Sequence, residues 1–303
     1  MEIAHIGLIG FGEVGSIFGA ALCGQPGVAS AAAWDVKLTG PQGDAMRQRA
    51  QDAGVVAAAS LRALCERSDL VISAVTASNT LAVAQAAAPH LRAGAYFLDL
   101  NSASPGTKQQ AAASVEGRGA HYVEAGVMTS VPPYGIRVPM LLGGAHAAPL
   151  AEVLAGWGMD AKPVSDQLGV ASAIKMCRSV MIKGLEALVA ESYVTARHYG
   201  VEEHVLPTLQ ETFPGLDWSA QGAYFLSRMV QHGQRRAEEM RESARTVQEA
   251  GMEPLMAAAI AAKQQWVADL AAQGAFAAVA ENSARWQDHA DALLAARRDR
   301  TPK

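Results

Sequence analysis

The segment Ile6–Gly15, IGLIGFGEVG, constrains this chain more than any other. Gly10, Gly12 and Gly15 stand in a G-x-G-x-x-G spacing directly after the apolar run Ile3–Ile9. Val14, Ile17, Phe18 and Ala21 then recur on one side of a helix. Glycine is common, so the spacing acquires meaning only from a strand before it and a helix after it. In that setting Gly10 permits a tight turn, Gly12 lets backbone approach a pyrophosphate, and Gly15 allows close packing of helix on strand. The free N–H groups that open the helix, with their partial positive charge, suit the phosphates. Phe11, Glu13 and Val14 belong to the same expected cradle. The rival reading is a structural turn that binds nothing.

A carboxylate stands where a dinucleotide would need one. Asp35 ends the second apolar run, Val28–Trp34, 20 residues after Gly15. There it would accept hydrogen bonds from adenosine ribose hydroxyls and repel a 2′-phosphate. The expected cofactor is therefore NAD, with NADP second because Lys37 lies close by. FAD competes for the same motif; the helical second half of the chain favours nicotinamide.

Short apolar runs alternate with helical stretches through the first half. Strands are expected at Ile3–Ile9, Val28–Trp34, Val55–Ala57, Leu70–Val75, Tyr96–Leu100, His121–Glu124 and Val138–Leu142. Helices fall between them near Glu13–Cys23, Asp44–Ala53, Leu61–Arg67, Thr80–Leu91 and Pro105–Val115. Such alternation gives an α/β Rossmann domain with a doubly wound, mostly parallel sheet. From about Gln167 the pattern is helical: Val170–Tyr199 closed by Gly200, then Ala220–Gly251, Pro254–Ala272 and Phe276–Arg297. Pro207, Pro214, Gly233 and Pro254 read as kink signals. A helix of about 30 residues is about 45 Å long. It is expected to serve as an interdomain helix, the spine of an all-α second domain. The division expected is 1–166 and 167–303. Broad Ala-rich apolar stripes in the second domain suit a homodimer or homotetramer. The end, Arg297–Lys303, is polar and expected to fray.

Composition excludes several classes. Half of the residues are hydrophobic, and a net charge of −4 argues against nucleic acid as a partner. No apolar run approaches the roughly 20 residues needed to span a bilayer. Met1-Glu2 lacks the basic region of a signal peptide, so the expected location is cytoplasmic, without a membrane partner. Cys23, Cys65 and Cys177 are far apart and read as buried free thiols. The eight histidines show no H-x-x-x-H or H-E-x-x-H spacing, so no metal site is expected.

Three later segments add chemistry. Ser73-Ala74-Val75-Thr76 ends the fourth strand at the carboxyl edge, where open α/β sheets bind ligands. Asp99-Leu100-Asn101-Ser102-Ala103-Ser104-Pro105 brings amide and hydroxyl groups to the same rim. Val75, Thr76 and Asn101 are expected beside the cofactor. Each segment can equally be capping, with Asn101 or Ser104 as an ordinary cap before Pro105. In the third segment Lys175, Ser179, Lys183 and Glu186 fall at i, i+4, i+8 and i+11 and share one helix face. Lys175 can be a snorkelling surface residue. It can also be a buried proton donor whose pKa is lowered by desolvation and a nicotinamide charge.

On these residues the chain resembles the β-hydroxyacid dehydrogenase and 6-phosphogluconate dehydrogenase superfamily, over nearly its whole length. The resemblance rests on GFGEVG, on D-x-N-S-x-x-P at Asp99–Pro105 and on the segment around Lys175. It implies a Rossmann domain followed by a helical domain, usually in dimers or tetramers. It also implies Lys175 as the catalytic lysine and Ser102 as a substrate-binding serine. The stretch His232–Pro254 resembles the C-terminal domain of a separate branch of these oxidoreductases. Arg235, Arg236 and Glu239 fall roughly where better-known members place residues beside cofactor and substrate. His232 and Arg236 are thereby substrate-side candidates.

The departures are as informative. Typical members carry a D-A-P-V-S-G-G segment whose amides and serine hold a substrate carboxylate. Here Glu124–Val131, EAGVMTSV, precedes Pro132-Pro133-Tyr134-Gly135, and the double glycine is missing. A stiffer loop bearing Met128 and Thr129 is expected to shape a different substrate. The paired asparagine after the lysine is replaced by Arg178 and Ser179, and Arg178 could bind an anionic group. The acid that 6-phosphogluconate enzymes use, seven positions after the lysine, is Ile182 here, which argues against that reaction. The function expected is NAD-dependent hydride transfer with a small polar, β-hydroxyacid-like substrate, Lys175 acting as general acid and base. The alternatives are an NADPH-dependent imine or keto reductase of related fold, or a non-catalytic NAD-binding regulator.

Overall fold

A computed structural model describes residues 3–280, 283 and 285–298. Met1-Glu2, on which the signal-peptide expectation rests, lie outside the described residues. So do residues 299–303 of the polar end, and 281, 282 and 284 inside the last expected helix. The chain forms two compact units, Met1–Met176 and Cys177–Lys303. The helical pattern of the sequence begins earlier, at about Gln167.

The first unit opens with β1 (His5–Ile9), α1 (Glu13–Leu22), β2 (Ser30–Trp34), α2 (Gly43–Asp52) and β3 (Val56–Ala57). It continues through α3 (Leu61–Cys65), β4 (Leu70–Ser73), α4 (Thr80–Ala87), β5 (Tyr96–Asp99) and α5 (Pro105–Glu116). It ends with β6 (His121–Val127), β7 (Met140–Gly143), α6 (Ala147–Gly156) and β8 (Ala161–Ser165). The strands form one sheet in the order β3-β2-β1-β4-β5-β6-β7-β8. The first six are parallel; β7 runs antiparallel to β6, and β8 parallel to β7. The order reverses between β1 and β4, so a crevice opens beyond the carboxyl ends of those two strands.

Both faces of the sheet are covered, which is why its strands read as apolar runs rather than as clean alternation. Leu8, Leu70, Ile72 and Leu98 pack on one side with Phe18 and Leu22 of α1. Ile9, Val71, Phe97 and Tyr122 pack on the other with Ala84, Ala111 and Val115. α6 and β8 were not anticipated by the hydrophobic pattern. The β8 sequence AKPVS lacks alternation and contains Pro163, which a sheet edge tolerates because proline has no N–H to pair.

The long helix α7 spans Val170–Tyr199, the bounds its sequence suggests, and Gly200 ends it at φ +66°. After it come α8 (Glu202–Thr212), α9 (Trp218–Glu249), α10 (Leu255–Ala272) and α11 (Trp286–Arg298). Two elements differ from the expectations here. α8, with Pro207 inside it, is a helix the sequence pattern did not announce. The helix expected from Phe276 begins only at Trp286. The core of the second unit gathers Tyr193, Leu226, Met229, Val267, Trp286 and Leu293. Among the described residues no helix is long and apolar enough to cross a membrane. The three cysteines are free thiols, but only Cys65 is buried; Cys23 is half-buried and Cys177 exposed.

Candidate functional site

The glycine turn is built as its spacing requires. Gly10 has φ +85°, and a Cβ there would lie 2.5 Å from the carbonyl oxygen of Ala74, just beyond β4. A Cβ on Gly15 would collide with the carbonyl oxygen of Gly10, so only glycine brings α1 this close to the turn. Gly12 differs: nothing stands within 4 Å of its Cβ position. As the N-cap of α1, it offers no side chain to the first helical amides. Those amides therefore open onto free space, the condition for taking a phosphate.

Asp35 closes the cradle. One carboxylate oxygen accepts the N–H of Phe11 at 2.8 Å, and the other accepts the N–H of Lys37 at 2.9 Å. The acid is thereby fixed against the middle of the glycine turn, with lone pairs to spare for vicinal hydroxyls. The Lys37 side chain is exposed, and Phe11 is buried and takes part through its backbone. These residues fit an adenine dinucleotide: a cradle that a Cβ would fill, uncapped amides, and a carboxylate at the neighbouring strand's end.

The rim formed by β4 and β5 is held by a buried polar network. Asn101 accepts the Val75 N–H at 2.7 Å and donates to the Ser73 hydroxyl at 2.9 Å. Its side chain is thus a bolt between the two strand ends, and Ser104 is the cap of α5, accepting the Thr107 N–H. Behind it, the fully buried Asp99 pairs with Lys108 at 2.9 Å and accepts the Tyr122 hydroxyl at 2.6 Å. Burial, and then the Asp99 charge, push the Tyr122 phenol well above its usual range. Ser102 is half-buried in the loop after Asn101, and Thr76 is exposed beside Val75.

Lys175 is positioned by a second buried carboxylate. Glu124 of β6 accepts the N–H groups of Gly169 at 2.8 Å and Ala171 at 3.1 Å, and the Ser172 hydroxyl at 2.7 Å. A carboxylate at a helix N-terminus satisfies orphan amides and complements the dipole. This clamp sets where α7 begins and hence which way its second turn faces. Gly126 then lets the helix approach: a Cβ there would be 3.0 Å from the Ala171 oxygen and 3.4 Å from the Lys175 Cβ. The half-buried Lys175 stands against the carboxyl end of β6. The register pairs Asp99, the last residue of β5, with Glu124, and β6 runs three residues further to Val127. Met128, half-buried, and Thr129, exposed, follow immediately. The loop after them is tied down, with the Tyr134 and Gly135 N–H groups donating to the Val131 carbonyl.

The remaining candidates lie in the second unit. Ser179 accepts from Lys183 at 3.2 Å, and Lys183 pairs with Glu239 at 3.0 Å. Arg236 is buried in a two-point pair with Glu186, so its guanidinium is committed to that carboxylate. Arg235 also pairs with Glu239, at 2.6 Å, and His232 stands among these cations. Arg178 is exposed. Sequence reasoning missed Lys108, Tyr122 and Arg228, and placed Asp99 in a motif without giving it a role. The signal for Lys108 was present: it shares a helical stripe with Ala111, Ala112 and Val115, all buried.

Residues 5–147 match the NAD binding domain of 6-phosphogluconate dehydrogenase, and residues 196–267 match a domain of unknown function, DUF1932. A conserved hypothetical protein from Sinorhizobium meliloti is 38% identical, over 98% of this chain and 97% of its own, with a TM-score of 0.75. 3-Hydroxyisobutyrate dehydrogenase from Mycobacterium tuberculosis, solved with L-serine, shares the fold at 17% identity and TM-score 0.66, covering 96% and 99%. An imine reductase from Myxococcus stipitatus, in complex with NADP+, shares it at 18% identity and TM-score 0.53, covering 90% and 94%. The chain carries the NAD binding domain of the 6-phosphogluconate dehydrogenase family followed by a DUF1932 domain, and belongs to one family with the Sinorhizobium meliloti protein.

Proposed function

We propose that the chain is an NAD-dependent dehydrogenase of a small, polar, β-hydroxyacid-like substrate, with Lys175 as its general acid and base. The observation that supports it best is the seating of Lys175 on Gly126, at the carboxyl edge that also carries the glycine turn. Gly10, Gly12, Gly15 and the first amides of α1 would hold the pyrophosphate, and Asp35 the adenosine ribose. Val75 and Thr76 line the rim on the other side of the glycine turn from Asp35. When bound, the dinucleotide supplies a nicotinamide ring able to exchange hydride with the substrate carbon. Lys175 Nζ takes the proton of the substrate hydroxyl during oxidation and returns it in the reverse direction, a contribution of roughly 10²–10⁴-fold. Ser102 and Thr129 orient the substrate, while Met128 and the tied loop behind it limit its size.

Cofactor choice tests the role of Asp35. At equal concentrations NAD is expected to raise the melting temperature more than NADP does. A ligand at 100 times its Kd adds about 2.7 kcal/mol of stability. Asp35→Ala should abolish the difference, because it removes both the hydroxyl acceptor and the charge that repels a 2′-phosphate. Wild-type preference for NADP would turn the assignment toward an imine or keto reductase. Tight NAD binding without turnover across a dehydrogenase panel would turn it toward a regulator.

A cytoplasmic homodimer or homotetramer completes the proposal. Free thiols suit a reducing compartment. Met181, Ile182 and Leu188 on α7, with Leu255, Met256 and Trp266 on α10, are exposed apolar side chains suited to a partner copy. Light scattering coupled to size exclusion is expected to give at least twice the 31.6 kDa chain mass. A monomer at micromolar concentration would refute it.

A further inference from the structure

We propose that Arg228, His232 and Arg235 of the helical unit form a binding site for an oxyanion, the carboxylate or phosphate group of a small ligand. The three stand at i, i+4 and i+7 on α9, one above the other on a single face. Their surroundings carry more positive charge than the protein neutralises. Glu186 is saturated by the two-point pair with Arg236 and by Gln264 of α10. Glu239 is shared between Lys183 of α7 and Arg235. Arg228 is left over: its Nε is buried without a hydrogen-bond partner, and no carboxylate pairs with it among the described residues.

A buried donor that finds no acceptor is costly, and an uncompensated charge more so. Proteins keep such groups where something else supplies the missing partner. The chemistry of that partner follows from the donors. Arg228 and Arg235 present guanidinium forks suited to a planar or tetrahedral oxyanion. His232 supplies a ring N–H between them. Burial first, then Arg228, Arg235 and Arg236, push the His232 imidazole down to about 4, against the opposing pull of Glu239. The ring is therefore neutral near pH 7, and an anion seated among the arginines would favour its protonation. Anion affinity should accordingly strengthen as pH falls through the raised His232 midpoint toward 4. Four cationic side chains against two carboxylates exclude a cationic ligand.

The site does not depend on Lys175 or the glycine turn, so it can fail while hydride transfer stands, and the reverse. The test uses the full chain labelled with ¹⁵N-histidine, without dinucleotide. The His232 signal, identified by its loss in His232→Gln, is followed against pH with and without inorganic phosphate or malonate. Saturating anion is expected to raise the His232 midpoint by at least one pH unit. Phosphate alone moving it identifies a phosphate group as the ligand chemistry, malonate alone a carboxylate, and both a general oxyanion pocket. Arg228→Met should weaken the anion at least tenfold by calorimetry without lowering the melting temperature, since it removes a buried Nε–H that has no hydrogen-bond partner. Arg235→Gln provides a second variant should that one fold poorly. A His232 titration indifferent to both anions, or Arg228→Met and Arg235→Gln proteins that bind as the wild type does, would overturn the assignment.

Discussion

Replacing Lys175 by alanine is expected to leave NAD(P) affinity within about twofold while lowering turnover of a β-hydroxyacid panel at least a hundredfold. A hundredfold corresponds to about 2.7 kcal/mol of transition-state stabilisation, within the range a positioned proton-transfer group supplies. The separation of the two readouts follows from the fold. The cradle is made by β1, α1 and Asp35, whereas the clamp that seats α7 is made by Glu124 with Gly169, Ala171 and Ser172. The loss should fall on kcat and kcat/KM together, since the proton is in flight only in the transition state. Turnover unchanged in Lys175→Ala would remove the lysine from the mechanism. Dinucleotide affinity lost along with activity would instead make Lys175 part of the cofactor seat.

The glycine turn and Asp35 could be read from the sequence because their roles are backbone roles, fixed by spacing along one strand–turn–helix unit. The bounds of α7 were legible for a similar reason: 30 residues without proline or interior break, closed by Gly200. What escaped was chemistry made by pairs distant in sequence. Asn101 and Ser104 both read as caps before Pro105, and only the fold shows Ser104 capping while Asn101 bolts β5 to β4. Glu124 offered no local signal, because its partners lie 45 to 48 residues on. Arg236 stood out by its place in the motif, yet Glu186 occupies it. Arg228, with the same charge and a buried Nε that finds no partner among the described residues, carries the unspent binding potential. α8 escaped because Pro207 reads only as a kink signal, although the packing of Leu206 and Leu209 holds a helix across it.

The Lys108–Asp99 pair should give the largest stability effect in the first unit. Both side chains are at most 1% exposed, and Lys108 Nζ contacts the Asp99 carboxylate at 2.9 Å and its carbonyl at 3.0 Å. Lys108→Met keeps the chain length but leaves a buried carboxylate without its cation. Breaking such a pair from one side costs about 3–5 kcal/mol, and in a domain of this size each kcal/mol lowers Tm by roughly 2–4 °C. A fall of at least about 6 °C is therefore expected by calorimetry. The sharper test replaces the whole network: Asp99→Leu, Lys108→Met and Tyr122→Phe together. With no charge or hydroxyl left unpaired, most of the stability should return, since apolar substitutes for a buried ion pair are often neutral or better. NAD(P) affinity should not return with it. Asp99 also accepts the Asn101 N–H at 2.9 Å, and Asn101 holds the Val75 rim. The triple variant would be well folded but loosely aimed, binding dinucleotide several-fold more weakly than wild type. If its affinity matched the wild type, the network would stabilise the unit and contribute nothing to the rim.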